Sequence, residues 1–303
     1  MFMVAVDAAV AKTVRALREA GVQPLLLKGP SVERWLYRPE EMRISSDVDL
    51  LVDPRRLAPA ERRLKREGLV NRYDGISPAE ALEHADTWSG PATAIPVDLH
   101  RRLWGFESSA EQVWERLWVG RGSMTIAGEE CAVLGEPARA LAVALHAAHH
   151  VDLARPIADL ARALQVLDDA VWTQAAELAV ELEATTGLRA GLGLVEEGGP
   201  LLARLGWEPA DPADVALRSP EWDTPRTTEG LLRLSRTPGA GGKAALIARE
   251  LFPSRQFMRT RSDQAFLARR GRRGLVAAYP FRWVRLLISV PRGIGPARRL
   301  GRD

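Results

Sequence analysis

The segment RISSDVDLLVDP, residues 43–54, sets Asp47 and Asp49 one residue apart at the entry to an apolar run, Leu50, Leu51 and Val52. Side chains two apart on a strand share a face, so the carboxylates stand together while Val48 turns into the core. Two like charges held side by side need a cation, and cation binding is the first chemistry the chain suggests. An isolated Asp-x-Asp is a weak signal, because aspartates also cap helices and make turns. A second candidate is His146, His149 and His150, at helix positions i, i+3 and i+4, a spacing that can present two imidazoles to one metal. The cluster lacks the Glu of a His-Glu-x-x-His zinc site and is embedded in alanines, which favours packing or contact with a cleft over zinc. Asp152 and Asp159 are expected to cap or solvate helices. PGAGGKA, 238–244, has the wrong glycine spacing for a phosphate loop and no Ser or Thr after Lys243.

The apolar pattern supplies elements to position these groups. VAVDAAVAKTVRALREA reads as an amphipathic helix closed by Gly21. QPLLLKG is a short buried strand, PSVERWLY a helix with Pro30 in its first turn, and DVDLLVD a second strand. PRRLAPAERRLKREG is a helix stopped at Gly68. A third strand is expected in ATAIPVDLHRRL, where Pro96 argues for an edge position or a strand start. MTIAGEECAVLG reads as a hairpin about Gly128. From Glu136 the pattern turns to alanine- and leucine-rich helices without strand signals. The expected fold class is α+β: a small mixed sheet with helices over 1–135, a helical bundle over 136–235, and over 236–303 a linker (within SRTPGAGGK, 235–243) together with the arginine-rich end that follows it.

At 303 residues and 46% hydrophobic content, the chain can bury a large core and is not disordered. Its single cysteine, Cys131, excludes an internal disulfide and an all-cysteine metal site, and suits a reducing compartment. The first residues carry Asp7 within the apolar part and no basic segment ahead of it, so they resemble a helix more than a signal peptide, and a cytoplasmic location is expected. The formal net charge of +3 conceals an asymmetry. Residues 240–303 hold 15 Lys and Arg against 3 Asp and Glu, a net of +12, which leaves −9 for the rest. Such an end can meet nucleic acid, anionic lipid, an acidic partner or the acidic body of its own chain. The last is preferred, with Trp283, Leu286 and Leu287 docking on the helical region. The segment after Pro280 is too short and too charged to span a bilayer.

The order of several pieces carries more information than any one of them. Leu27-Lys28-Gly29, Tyr37, Arg43, the strand Asp47 to Val52 and Asp98-Leu99-His100 follow one another in the order that marks a known superfamily. In these residues the chain resembles the DNA polymerase β-like nucleotidyltransferases, and most of all an uncharacterised nucleotidyltransferase family within them. The resemblance covers roughly the first half, and LHAAHH fits that family's later histidine-containing helix. It implies transfer of a nucleoside monophosphate from an NTP to a hydroxyl or phosphate of an acceptor, with two Mg2+ ions held by Asp47, Asp49 and Asp98. Asp98 is then the third ligand or the general base. Gly29 lets the backbone approach the phosphates, Ser31 adds a hydroxyl donor, and Lys28 and Arg43 either contact phosphate, neutralise the carboxylates or face solvent. Pro30 departs from the superfamily's usual Gly-Ser or Gly-Gly loop and removes one amide donor. His100 approaches the site or is a hydrogen-bonded structural histidine. Members of the family sometimes accompany peptide natural-product biosynthesis, so the resemblance admits a small molecule or a peptide as acceptor. Two alternatives stand beside this reading: a non-catalytic nucleotide-binding scaffold that uses the basic tail, and a phosphotransferase on the same fold.

Overall fold

The computed structural model describes residues 2–38, 40–41, 43–72, 85–90, 93–150, 153–210, 234, 237, 239–260 and 265–300. The described residues fall in two compact units, those up to 210 forming the first and those from 234 onward the second.

In the first unit, helix α1 (Phe2–Glu19) leads through the left-handed Gly21 into β1 (Pro24–Leu26). Helix α2 (Pro30–Leu36) follows, with proline at its first turn, and then β2 (Val48–Val52). A 3-10 turn at Pro54–Arg56 opens α3 (Leu57–Arg66), which stops before Gly68 at φ +80°. Strands β3 (Val70–Asn71), β4 (Ala85–Gly90) and β5 (Thr93–His100) precede α4 (Ala110–Val119), whose Ser109 and Gln112 form a reciprocal capping box. A hairpin of β6 (Gly122–Ile126) and β7 (Glu129–Val133) turns through Ala127 and Gly128, both with positive φ, as a two-residue hairpin requires. The class is α+β: a seven-stranded mixed sheet in the order β3-β4-β5-β2-β1-β7-β6, with helices.

The sheet has two faces because side chains alternate along each strand. Val48, Leu50 and Val52 join Val6, Val10 and Leu17 of α1 and Leu64 of α3 in one core. Leu25, Leu27 and Leu51 point the other way, into a core shared with α5 (Glu136–His149), α6 (Ala154–Val166), α7 (Asp169–Glu181) and α8 (Thr185–Leu192). A further helix, α9 (Gly198–Leu205), closes the described part of this unit. Asp49 lies between Val48 and Leu50 and shares the parity of Leu51, so its face of the sheet is the one the α5–α8 bundle covers.

One strand expectation is corrected. Strand β5 is neither an edge nor begun by its proline: it lies between β4 and β2. Pro96 is tolerated there because pairing with β2 begins one residue later, at Val48 with Val97, and the β4 register shifts between Trp88 and Gly90 on the other side. Strand β4 carries no clear strand pattern in ADTWSG, yet it buries Trp88 completely.

In the second unit, helices cover Ala240–Leu251, Arg255–Thr260, Ala265–Ala268 and Gly271–Leu300. Residues 240–243, expected to be linker, form the first turn of a helix. Trp283 donates to the Leu251 carbonyl and Arg282 to the Glu250 carboxylate, both inside this unit, while Leu287 is 73% exposed. Within this unit Trp283 thus packs on the helix Ala240–Leu251. No helix among the described residues is long and apolar enough to cross a membrane.

Candidate active site

Parallel pairing of β2 with β5 sets Asp49 directly opposite Asp98, and Asp47 lies just before β2 on the same parity. The result is a group of three carboxylates, Asp47, Asp49 and Asp98, with ligand oxygens all within 4.8 Å of one another. Asp49 is 1% exposed, and the other two are partly buried. Backbone pairing brings Lys28 beside them, because the Leu27 amide donates to the Asp49 carbonyl at 3.0 Å. Lys28 Nζ then lies 3.1 Å from Asp49 Oδ1, and His100 Nε2 lies 3.0 Å from the same oxygen. Of the roles open to Lys28, the structure shows neutralisation of the carboxylates, and His100 is hydrogen-bonded into the cluster.

The electrostatics follow from this arrangement. Burial alone would raise the Asp49 carboxyl, but Lys28 and His100 pull it well below the ordinary carboxylate range. Burial and the neighbouring Asp49 charge push Asp47 upward instead. Burial would depress the Lys28 ammonium, and the three surrounding aspartates overcome this and raise it. Two oxygens are left over: Asp49 Oδ2 and Asp98 Oδ1 are buried and have no hydrogen-bond partner. Such atoms carry a desolvation cost that a cation would offset. The donor set, three carboxylates and no thiolate or imidazole, suits a hard oxygen-seeking ion such as Mg2+.

The loop leading to Asp47 is held by a different charged pair. Arg43, 8% exposed, donates to both oxygens of Asp159 on α6, at 2.9 Å from Nε to Oδ1 and 2.7 Å from NH2 to Oδ2. Its NH1 donates to the Gly29 carbonyl and to Ser45 Oγ. The Tyr37 hydroxyl donates to Asp159 at 2.7 Å. Burial and this bond push the Tyr37 phenol far above its ordinary range. Arg43 therefore engages a carboxylate outside the acidic group rather than facing solvent. Asp159, expected to cap or solvate a helix, is 2% exposed and anchors this clamp; Asp152 lies outside the described residues. Ser31 is fully buried and its hydroxyl donates to the Lys28 carbonyl, so its hydroxyl serves the loop's own backbone. Gly29 has φ +70° and ψ −126°, a conformation reserved for glycine, and carries the chain from Lys28 into α2.

Two cavities adjoin the acids. One of about 430 Å3 is lined by Lys28, Gly29, Ser45, Ser46, Asp47 and Arg155, among others. The second, of about 100 Å3, lies between His100 and the end of α5. There His149 stacks on Trp104 with ring centroids 4.6 Å apart, and His146 and His150 meet at 4.7 Å. Burial, with the Lys28 charge nearby, holds His146 well below the ordinary imidazole range. All three histidines line this cleft, the contact that the sequence favoured for them. Sequence reasoning missed Trp104, Arg139 and Arg155 as lining residues, because nothing local in the sequence marks a cleft wall assembled from α5, α6 and the segment after β5.

A family model described as "uncharacterised nucleotidyltransferase" matches residues 4–198. No curated protein matches the chain. Among solved structures, a solution structure of the antibiotic-resistance factor ANT(2'')-Ia is similar at 15% identity and TM-score 0.40, over 59% of this chain and 93% of that one. A crystal structure of ANT(2")-Ia with adenylyl-2"-tobramycin is similar at 14% identity and TM-score 0.40, over 58% of this chain and 97% of that one. An antigenic nucleotidyltransferase-like protein from Paracoccidioides brasiliensis is similar at 13% identity and TM-score 0.36, over 61% and 93%.

Proposed function

The chain belongs to the uncharacterised nucleotidyltransferase family, and on that footing we propose that it transfers a nucleoside monophosphate from an NTP to a hydroxyl or phosphate of a small-molecule or peptide acceptor, releasing pyrophosphate. The observation that carries this reading is the carboxylate group on the paired strands, with two buried oxygens that lack partners. Asp47, Asp49 and Asp98 would hold Mg2+, two ions by the usual logic of this chemistry. When bound, the metal neutralises phosphate charge and activates the attacking oxygen.

The chain's own groups do the rest. Lys28 keeps Asp49 ionised and adds positive charge at the mouth of the larger cavity, where Arg155 adds another. These two cations, with the Gly29 backbone, are the groups placed for a triphosphate. Asp98 Oδ1, buried and without a partner, is the atom suited to receive the acceptor's proton. Arg43 acts through Asp159 and the Gly29 carbonyl, fixing the loop that delivers Asp47. The test is product identity: incubation with each common NTP, Mg2+ and an acceptor panel should release pyrophosphate, and Asp49→Asn should abolish it. Release of inorganic phosphate or a nucleoside diphosphate would instead indicate phosphoryl transfer, and an Asp49→Asn protein as fast as the parent would sink the assignment.

A further inference from the structure

The smaller cavity has a chemistry of its own. Its wall is largely apolar, with Leu27, Val32, Leu103, Trp104, Phe106 and Val143 among the lining residues. It begins beside the acids, since His100 lines it while bonding to Asp49. Of its charged lining residues, Lys28 is paired with Asp49, and Arg43 with Asp159, the one acidic residue in this lining among those described. Arg139 is left over. Its guanidinium stacks on Trp35 at 4.9 Å, its Nε is buried without a hydrogen-bond partner, and no carboxylate among the described residues forms an ion pair with it. Burial depresses its pKa, and the charge of Glu136, which does not line the cavity, offsets this only in part. A cationic fork with an unmet Nε donor at the wall of an apolar cavity recognises a planar anion carried on an apolar body.

We propose that this cavity is the acceptor subsite and that it takes an acceptor with a ring or other apolar body and a carboxylate or comparable anionic group held by Arg139. The inference rests on the nucleotidyl-transfer reading for the word acceptor, but the binding chemistry stands on the cavity alone. A volume of about 100 Å3 holds roughly a single ring. The Arg139 charge, unopposed among the described lining residues, disfavours a polycation.

The test uses three phenols of similar size and different charge: 4-hydroxyphenylacetate, neutral tyrosol and cationic tyramine. Dissociation constants are measured by NMR titration on the full chain, without metal or nucleotide. 4-Hydroxyphenylacetate should bind about 10-fold or more tighter than tyramine, with tyrosol between them, the preference expected of a charge-assisted fork. Arg139→Gln should bring 4-hydroxyphenylacetate to within about 2-fold of tyrosol, because only the ionic part of the interaction is lost. Ala142→Phe, which adds a ring to the cavity wall, should remove all three; if that protein fails to fold, Arg139→Gln still decides. Tyramine binding as tightly as 4-hydroxyphenylacetate, an unchanged preference in Arg139→Gln, or no binding of any phenol would overturn the proposal. Pyrophosphate release is read separately. Its absence would defeat nucleotidyl transfer and leave these binding results standing, whereas failed binding with release intact defeats only the acceptor class.

Discussion

Replacing Asp159 by Asn keeps the side chain's size and removes the charge that Arg43 faces. Arg43 is then a buried cation with only neutral acceptors, the amide oxygen kept at position 159 and the Gly29 carbonyl and Ser45 Oγ at 3.3 and 3.1 Å. Breaking a buried pair by removing one partner costs about 3–5 kcal/mol. The retained acceptors put this case at the lower end, near ~3 kcal/mol. For a unit of this size, each kcal/mol shifts Tm by roughly 2–4 °C, so Tm should fall by about 6–12 °C. Urea unfolding followed by tryptophan fluorescence reads the affected unit directly, because seven of the nine tryptophans lie in it. The physical claim is sharpened by the pair Arg43→Met/Asp159→Leu, which should recover most of the loss because it removes both buried charges. An Asp159→Asn protein within about 0.5 kcal/mol of the parent, the scatter of an ordinary surface change, would refute the clamp as a structural element.

Three further outcomes follow from local geometry. Lys28→Met should destabilise the protein at neutral pH. Asp49 is depressed in the folded state and Lys28 raised, so their mutual stabilisation is complete between about pH 4 and about pH 10.5, the unfolded values. It is lost as pH falls through the folded Asp49 value or rises through that of Lys28. The difference from the parent in urea unfolding should therefore be larger at pH 7 than at pH 2, and an equal difference at both would contradict the pairing. Ala127→Asn should stabilise by about 0.5–1 kcal/mol, because Ala127 is exposed at φ +47° before Gly128 and Asn-Gly is the preferred pair for this turn; a lower Tm would show the turn to be otherwise constrained. Cys131 is fully buried, and burial pushes its thiol up to about 11, so it should be inert to a disulfide reagent at pH 8 until urea unfolds the chain. Rapid labelling of the native protein would contradict its place in the β7 core.

The sequence carried the sheet's centre more clearly than its flank. Strands β1 and β2 announce themselves because short apolar runs end at glycine or aspartate, and the hairpin at Gly128 because its turn chemistry is local. Strand β4 is silent: ADTWSG is polar and small, and its strand state comes from pairing with β5, which buries Trp88. Pro96 misled for a related reason, since only the register of both neighbours shows that its missing amide is not needed. The three aspartates were legible as an ordered set, two of them through strand parity alone. The Arg43 clamp was not, because its acceptor lies 116 residues away on a helix whose own pattern explains Asp159 as an ordinary helical polar residue. Arg139 was equally hidden, because its lack of an ion pair among the described residues is a property of the folded cavity wall and not of its helix pattern.

The central claim is that Asp47 and Asp49 hold a metal-bound nucleotide. The most direct measurement is calorimetric titration of the four common NTPs, each in non-hydrolysable form, into the parent and an Asp47→Ala/Asp49→Ala protein, with and without Mg2+. At least one nucleotide should bind the parent only when Mg2+ is present, and this binding should be lost in the double variant. Binding that persists in the double variant, or that needs no Mg2+, would contradict the claim.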